Sequence, residues 1–205
     1  MLGSLAWLNL AENNLSGLIP TSIGNLGNLS VFYLNNNKLS GPIPPRIGKL
    51  GSLLDLGQFS NNLSGPIPIS IGNLTKLSIL SLAKNNLWGF ITSSMGNMKD
   101  LTILELFMNQ LSSNIQLEIG KLKLLTSLML FTNELNGFIP FEFNNLTYLK
   151  YLGLEENMLS SYLPQNVCNG GFLQNFTAYD NYFIGSIPLR LRNCTNLVQV
   201  RLEGN

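Results

Sequence analysis

The sequence contains no histidine. That removes the side chain that most often serves as general base and most often ligates a metal. Cysteine is nearly as scarce, and two cysteines cannot complete a structural zinc site without histidine unless carboxylates fill the remaining positions. Charged residues make up 11% of the chain, well under the ~25% of ordinary globular domains. The formal net charge is only +1, and no nucleic-acid partner is expected. No apolar run approaches the ~20 residues of a membrane span, and no charged segment leading into an apolar one opens the chain. Any targeting or anchoring segment is therefore expected outside these residues. Glu155 and Glu156 are sequence neighbours rather than a facing acid pair, and the glycines build no phosphate-cradling loop. No catalytic constellation, metal site or cofactor is expected.

What is abundant is asparagine at a fixed interval. Asn13, Asn37, Asn61, Asn85, Asn109, Asn133, Asn157, Asn181 and Asn205 are each separated by 24 residues. Around each the pattern of Leu5, Leu8, Leu10, Leu15, Gly17, Ile19, Pro20, Ile23, Gly24 and Leu26 returns at constant offsets, and a fixed period of this length marks a solenoid. The Leu-x-Leu pair has the period of two that sends alternate side chains of a short strand to one face. The asparagine that leaves the strand can donate to and accept from backbone groups of the turn, so stacked coils can form a ladder of satisfied amides. Gly17 and its copies allow backbone angles closed to other residues, and the following Ile-Pro fixes an extended step.

The pattern lapses at particular places. Thr92 and Gln116 replace the proline, Ser113 and Ser161 the glycine, and Gln58 a core leucine. Phe176 and Ala178 take the two core strand slots of their coil, where a large residue beside a small one keeps the volume roughly constant. Gly170 stands where a leucine is expected. Leu2 falls in the slot of Leu26 and the chain stops on Asn205. Residues 1–205 are thus expected to be one solenoid of about eight and a half repeats, open at both ends without caps and excised from a longer parent.

The segments NNLSGLIPTSIGNLGNL, NNKLSGPIPPRIGKL and NNLSGPIPISIGNLTKL resemble the ectodomains of plant leucine-rich-repeat receptor-like kinases. LPQNVCNGGFLQNF and GSIPLRLRNCTNLVQVRLEGN resemble the cysteine-bearing repeats of the peptide-sensing members. The fold class expected is an α/β repeat solenoid, a right-handed leucine-rich-repeat superhelix with short parallel strands on its concave face. The resemblance implies an extracellular, glycosylated segment, ahead of a membrane span and a kinase outside this chain. It also implies a secreted peptide or protein ligand and a co-receptor kinase ectodomain as partners. In such receptors two arginines separated by one residue often hold the ligand's terminal carboxylate, but the matching positions here read Gln199, Val200 and Arg201, with only one arginine.

Cys168 and Cys194 are 26 residues apart, two residues off perfect stacking, which is borderline for a disulfide. The residues leave open a bridge or two buried thiols, and the resemblance favours the bridge. If formed, it would close a loop worth about 3.5 kcal/mol in the chain-entropy model and imply an oxidising compartment. Sequons begin at Asn14, Asn28, Asn62, Asn73, Asn145, Asn175 and Asn193, but the repeat itself generates five of these seven. Glycans are expected on outer-face sites among Asn14, Asn28, Asn62, Asn73 and Asn145. Asn175 falls on the strand face, and Asn193 abuts Cys194.

Function is expected on the concave face, whose outward slots lie six, four, two and one residues before each ladder asparagine. Those slots hold Trp7, Tyr33, Phe59, Phe107, Phe131, Tyr151 and Tyr179 with Met108 and Met129, a density of exposed aromatics that marks a contact surface. Stacking of Phe107 on Phe131 as plain sheet packing is the alternative. Glu105, Glu155 and Arg201 complete the candidate ligand-binding set. The same slots collect seven of the chain's eleven acids and only two of its twelve bases, Lys84 and Arg201. A sheet of such strands is roughly 40 Å long and could lay out a peptide of about 12 residues. A free secreted inhibitor of a pathogen wall-degrading enzyme and a structural or ice-binding repeat protein are the other classes. An ice-binder would need a regular uncharged outer row of Thr or Asn.

Overall fold

A computed structural model describes residues 3–205, so Leu2 lies outside the described residues. The Leu-x-Leu segments form three-residue parallel strands from Trp7–Asn9 and Val31–Tyr33 through to Gln199–Arg201. Among the described residues nine of them make one sheet in strict sequence order. Pairing is in register at the repeat, with Trp7 beside Val31 and Val31 beside Asp55. Equivalent slots of successive coils therefore line up as columns. The inward columns are the core: Leu56, Leu80, Leu104 and Leu128 have no exposed surface. Phe176 and Ala178 are both fully buried, the large residue offsetting the small one. In the first and last coils Leu10 and Val200 remain 37% and 39% exposed.

The repeat predicts a single sheet, and the structure contains two. A second parallel sheet of eight strands among the described residues runs from Ser16–Leu18 to Tyr182–Ile184, built from the Leu-Ser-Gly segments. Leu39, Leu63 and Leu87 point inward while their neighbours face out, which is the period of a strand. The adjacent glycine disguised these segments as turns. The proline that follows holds an extended step (Pro44 φ −66°, ψ 131°), and the chain returns through a five-residue 3₁₀ turn such as Pro45–Lys49 or Ser93–Asn97. Coils pack tightly there. A β-carbon on Gly24 or Gly120 would stand 2.5 Å from the carbonyl oxygen of Arg46 or Glu142 in the next coil.

The asparagine ladder joins one coil to the next. Asn61 donates from Nδ2 to the carbonyls of Gln58 (3.3 Å) and Phe59 (3.4 Å) in its own turn and to Leu34 (2.9 Å) in the preceding coil. Its Oδ1 accepts from Leu39 N–H at 3.0 Å, again in the preceding coil. The turn so held is a strained one, because the residue before the ladder position is left-handed and not glycine: Ser60, Lys84, Met108 and Thr132 have φ of 52–56°. Ser113 and Ser161, which replace the repeat glycine, take φ of 70° and 73°.

Two irregularities stand out in the core. Gln58 is fully buried in a leucine column, and neither its Nε2 nor its Oε1 has a hydrogen-bond partner. Cys168 and Cys194 form a disulfide with Cα atoms 5.5 Å apart. Cys194 occupies the column of Leu122 and Leu146, and Gly170 leaves that column empty one coil earlier, where the side chain of Cys168 enters. The bridge thus stands in for two core leucines.

Asn109 makes three donor bonds, to Leu82, Leu106 and Phe107, and accepts one from Leu87, whereas Asn13 only donates, to Leu10 and Ala11. Asn109→Leu should destabilise the chain by about 3 kcal/mol and Asn13→Leu by about 1 kcal/mol; equal shifts in urea midpoint would count against a ladder that acts between coils. Gln58→Leu should raise stability by about 1–3 kcal/mol, since it removes an unpaired buried amide. A lowered midpoint would show that Gln58 has a partner in solution.

Candidate ligand-binding surface

The register turns the outward slots of the first sheet into four parallel columns. In the column two residues before the ladder, Phe107, Phe131, Glu155, Tyr179 and Glu203 follow one another along the solenoid. Phe107 and Phe131 stack with ring centroids 4.4 Å apart and planes 11° apart, so the sheet-packing contact is present, yet both rings keep part of their surface exposed. At Gly153 a β-carbon would stand 2.9 Å from Met129 Sδ and 3.2 Å from Phe131 Cδ1. The absent side chain lets both lean across the strand. Tyr151 is 37% exposed and donates to Gln174 at 2.9 Å, and Trp7 meets Tyr33 edge to face at 6.2 Å. Phe59 is partly buried.

Apart from Glu203, the hydrogen-bonded acids of this face are held by hydroxyls of neighbouring coils rather than by cations. Ser81 donates to Glu105 (2.7 Å), Thr177 to Glu155 (2.5 Å) and Thr132 to Glu156 (2.8 Å). Tyr33 donates to Asp55, and that bond, with burial and the neighbouring carboxylate charge, pushes its phenol up to about 12. Burial pushes Asp55 up, partly offset by the same bond. Burial and then the charges of Glu155 and Glu156 raise Tyr179. These donors fix the carboxylates in place without neutralising them, so the field of the face stays negative.

Arg201, the one base of the candidate ligand-binding set, is engaged by neighbouring side chains. Its guanidinium lies 4.1 Å from the centroid of Tyr179 and bonds Glu203, with Nε 2.8 Å from Oε1. The bond that Arg201 donates to Glu203 raises Arg201 further, while the backbone N–H of Glu203 itself and then Arg201 hold Glu203 down. Contact across that column was invisible in the spacing, because it depends on side-chain reach. Asn14, Asn28, Asn62, Asn73 and Asn145 are exposed, and Asn175 bonds Gln199 across the sheet. Among the described residues no group of three or more His, Cys, Asp or Glu is placed to hold a metal ion.

A second exposed surface had no counterpart in the sequence reading. Trp88, Phe138, Phe141, Tyr162 and Ile184 are 53–76% exposed on the second sheet and the turns behind it. Each is a single apolar residue in the sequence, and only the stacking of the coils brings Phe138, Phe141 and Tyr162 together around one cleft.

The leucine-rich-repeat family model matches residues 4–26 and 28–50. None of the curated proteins compared matches the chain. Among solved structures, the plant peptide hormone receptor RGFR1 in complex with RGF2 is 34% identical with a TM-score of 0.97, over 99% of this chain and 32% of that one. The PEPR1–AtPEP1 complex is 36% identical with a TM-score of 0.91, over 96% and 28%. The Arabidopsis receptor kinase HAESA, bound to the peptide hormone IDA and the co-receptor SERK1, is 30% identical with a TM-score of 0.77, over 97% and 37%. A plant ice-binding protein is 25% identical with a TM-score of 0.66, over 97% of this chain and 83% of that one. The chain spans about a third of the length of the receptor structures it matches. With its ladder, its two sheets and that likeness along its whole length, the chain belongs to the leucine-rich-repeat proteins and has the coil geometry of plant receptor-kinase ectodomains.

Proposed function

We propose that this chain is an extracellular ligand-recognition segment of a plant receptor kinase and binds a secreted peptide or protein along its concave sheet. The observation that carries the reading is the stacked phenylalanine pair that runs directly into Glu155, with Glu156 beside it, two carboxylates held by threonine hydroxyls and not by cations. The scaffold is a non-catalytic, ligand-binding one, and similar ectodomains were solved with peptide ligands and, for HAESA, a co-receptor. The ligand-binding set is Tyr33, Phe59, Glu105, Phe107, Met129, Phe131, Tyr151, Glu155 and Tyr179, with Arg201 bracing Tyr179 at the end of the track. The ligand is an extended segment with apolar side chains over Phe107, Met129 and Phe131 and a Lys or Arg near Glu155, Glu156 and Asp180. A kinase, a membrane span and attachment to the plasma membrane belong to the parent protein. A co-receptor ectodomain is a further partner, and glycans are carried on exposed sequons such as Asn62 and Asn73.

The other classes fit less well. The outward slots of the second sheet read Lys38, Asn62, Asn86, Gln110, Glu134, Met158 and Tyr182, which is not the regular uncharged row an ice-binding face needs. A free inhibitor of a wall-degrading enzyme would use the same concave surface and differ in its partner.

Selection of a displayed library of peptides about 12 residues long on this chain should enrich binders with an apolar centre and a basic end. For those binders, Glu155→Lys with Glu156→Lys should slow association about ten-fold at low salt and flatten its salt dependence. Phe131→Ala should speed dissociation about ten-fold. Enrichment of acidic peptides, or rates untouched by both changes, would overturn the reading.

A further inference from the structure

The most exposed aromatic cluster of the chain lies where the stacking of its coils is interrupted. Phe138, Phe141 and Tyr162 are 57%, 76% and 62% exposed. In the tight column of Gly24, Gly48, Gly72, Gly96 and Gly120, the next position is Asn144. A β-carbon at Gly120 would already stand 2.5 Å from the Glu142 carbonyl. The real β-carbon of Asn144 therefore keeps the following coil from approaching in the same way.

That coil shows the effect. Residues 165–170 form a turn without the 3₁₀ helix of the other coils. Val167 N–H reaches the Pro164 carbonyl at only 3.4 Å, where the equivalent bonds elsewhere are 2.9–3.1 Å. The bonds move instead to Asn169 with Asn166 and Gly171 with Cys168. The coils close again at Gly170, where any β-carbon would overlap the Thr147 carbonyl. Between the wedge and the closure lies a cleft of about 310 Å³ walled by Phe138, Phe141, Tyr162, Pro140 and Pro164. Across the ridge of Phe138 and Phe141 a second hollow of about 430 Å³ continues over Gln116 and Leu117.

We propose that this cleft is a second binding site, separate from the concave track, and that it takes a neutral saccharide. Three features of the chemistry converge on that ligand. Exposed ring faces set at a groove accept the apolar C–H face of a pyranose. The polar groups around them are amides and hydroxyls, Asn144, Ser161, Gln165 and Asn166, with no charged side chain lining the cleft itself and only an acid, Glu142, in the hollow beyond the ridge, so a carboxylate-bearing sugar would lose its hydration without gaining a counter-charge. Asn144 lines the cleft and its Oδ1 is buried without a hydrogen-bond partner; turning that side chain toward the cleft would give a sugar hydroxyl an acceptor that has no partner to lose. A proline-rich peptide would suit the aromatic walls but brings few N–H donors for that acceptor. The volume falls at the lower end of small-ligand pockets.

The probes are cellohexaose and xylohexaose, with hexagalacturonate as the charged control. They are titrated into the full chain and into an Asn145→Gln variant that cannot carry its own glycan beside the cleft. Saturation-transfer NMR and calorimetry should show at least one neutral hexamer bound with Kd of about 0.1 mM and the galacturonate not bound. Phe141→Ala, which removes an exposed ring and leaves the core intact, should weaken binding at least about ten-fold. Glu155→Lys with Glu156→Lys should leave it unchanged even if the concave reading fails. No neutral binding at millimolar sugar, binding indifferent to Phe141→Ala, or preference for the galacturonate would overturn the site. Binding seen only with Asn145→Gln would show that the chain's own glycan fills the cleft, and would overturn a free ligand.

Discussion

Every coil depends on one carboxamide. The ladder asparagine closes a turn whose preceding residue is forced left-handed, and the same side chain reaches back into the previous coil with both of its polar atoms. A leucine of the same size would fill the space but leave turn carbonyls and one N–H unpaired in an apolar interior, where they are expensive. Because the asparagine bonds within and between coils at once, the repeat length cannot drift: an added residue would separate the amide from both sets of partners. The in-register pairing of the concave sheet follows from that constraint, whereas the strands of the second sheet pair two residues short of the repeat, with Ser16 beside Lys38 and Ser40 beside Asn62.

Register, in turn, makes the surface legible. Each outward slot becomes a column, so properties that look scattered over the sequence become contiguous. Phe107 and Phe131 become a stacked pair, and Glu155 and Glu156 gain hydroxyl donors from neighbouring strands. A carboxylate held by a neutral donor keeps its charge and loses its freedom. It thereby presents a fixed negative point at little further entropic cost to a basic ligand. Arg201 is the exception, its charge consumed by Glu203 and its face by Tyr179.

The stacking is not uniform, and its break has a traceable origin. Glycine in one column allows a carbonyl of the next coil to approach to hydrogen-bond distance of a β-carbon that is not there. Asn144 and Cys168 end that column, the intervening coil loses its 3₁₀ turn, and Gly170 with the disulfide restores contact one step later. The same substitutions that open a cleft on the outer side are those that make room for the bridge.

The period, the ladder, the inward leucines and the identity of the concave columns could be read from the amino acids alone. They depend on spacing, and spacing becomes space wherever equal intervals stack. The lapses at Gln58, Ser113, Ser161 and Gly170 were visible for the same reason. The tertiary structure alone decided what depends on how closely coils approach and how far side chains reach. The second sheet, the pairing of Arg201 with Glu203, the bond from Tyr33 to Asp55, the closure of the Cys168–Cys194 bridge and the cleft beside Asn144 are all of that kind. A 24-residue interval says which residues are neighbours; it does not say whether a β-carbon between them holds the coils apart.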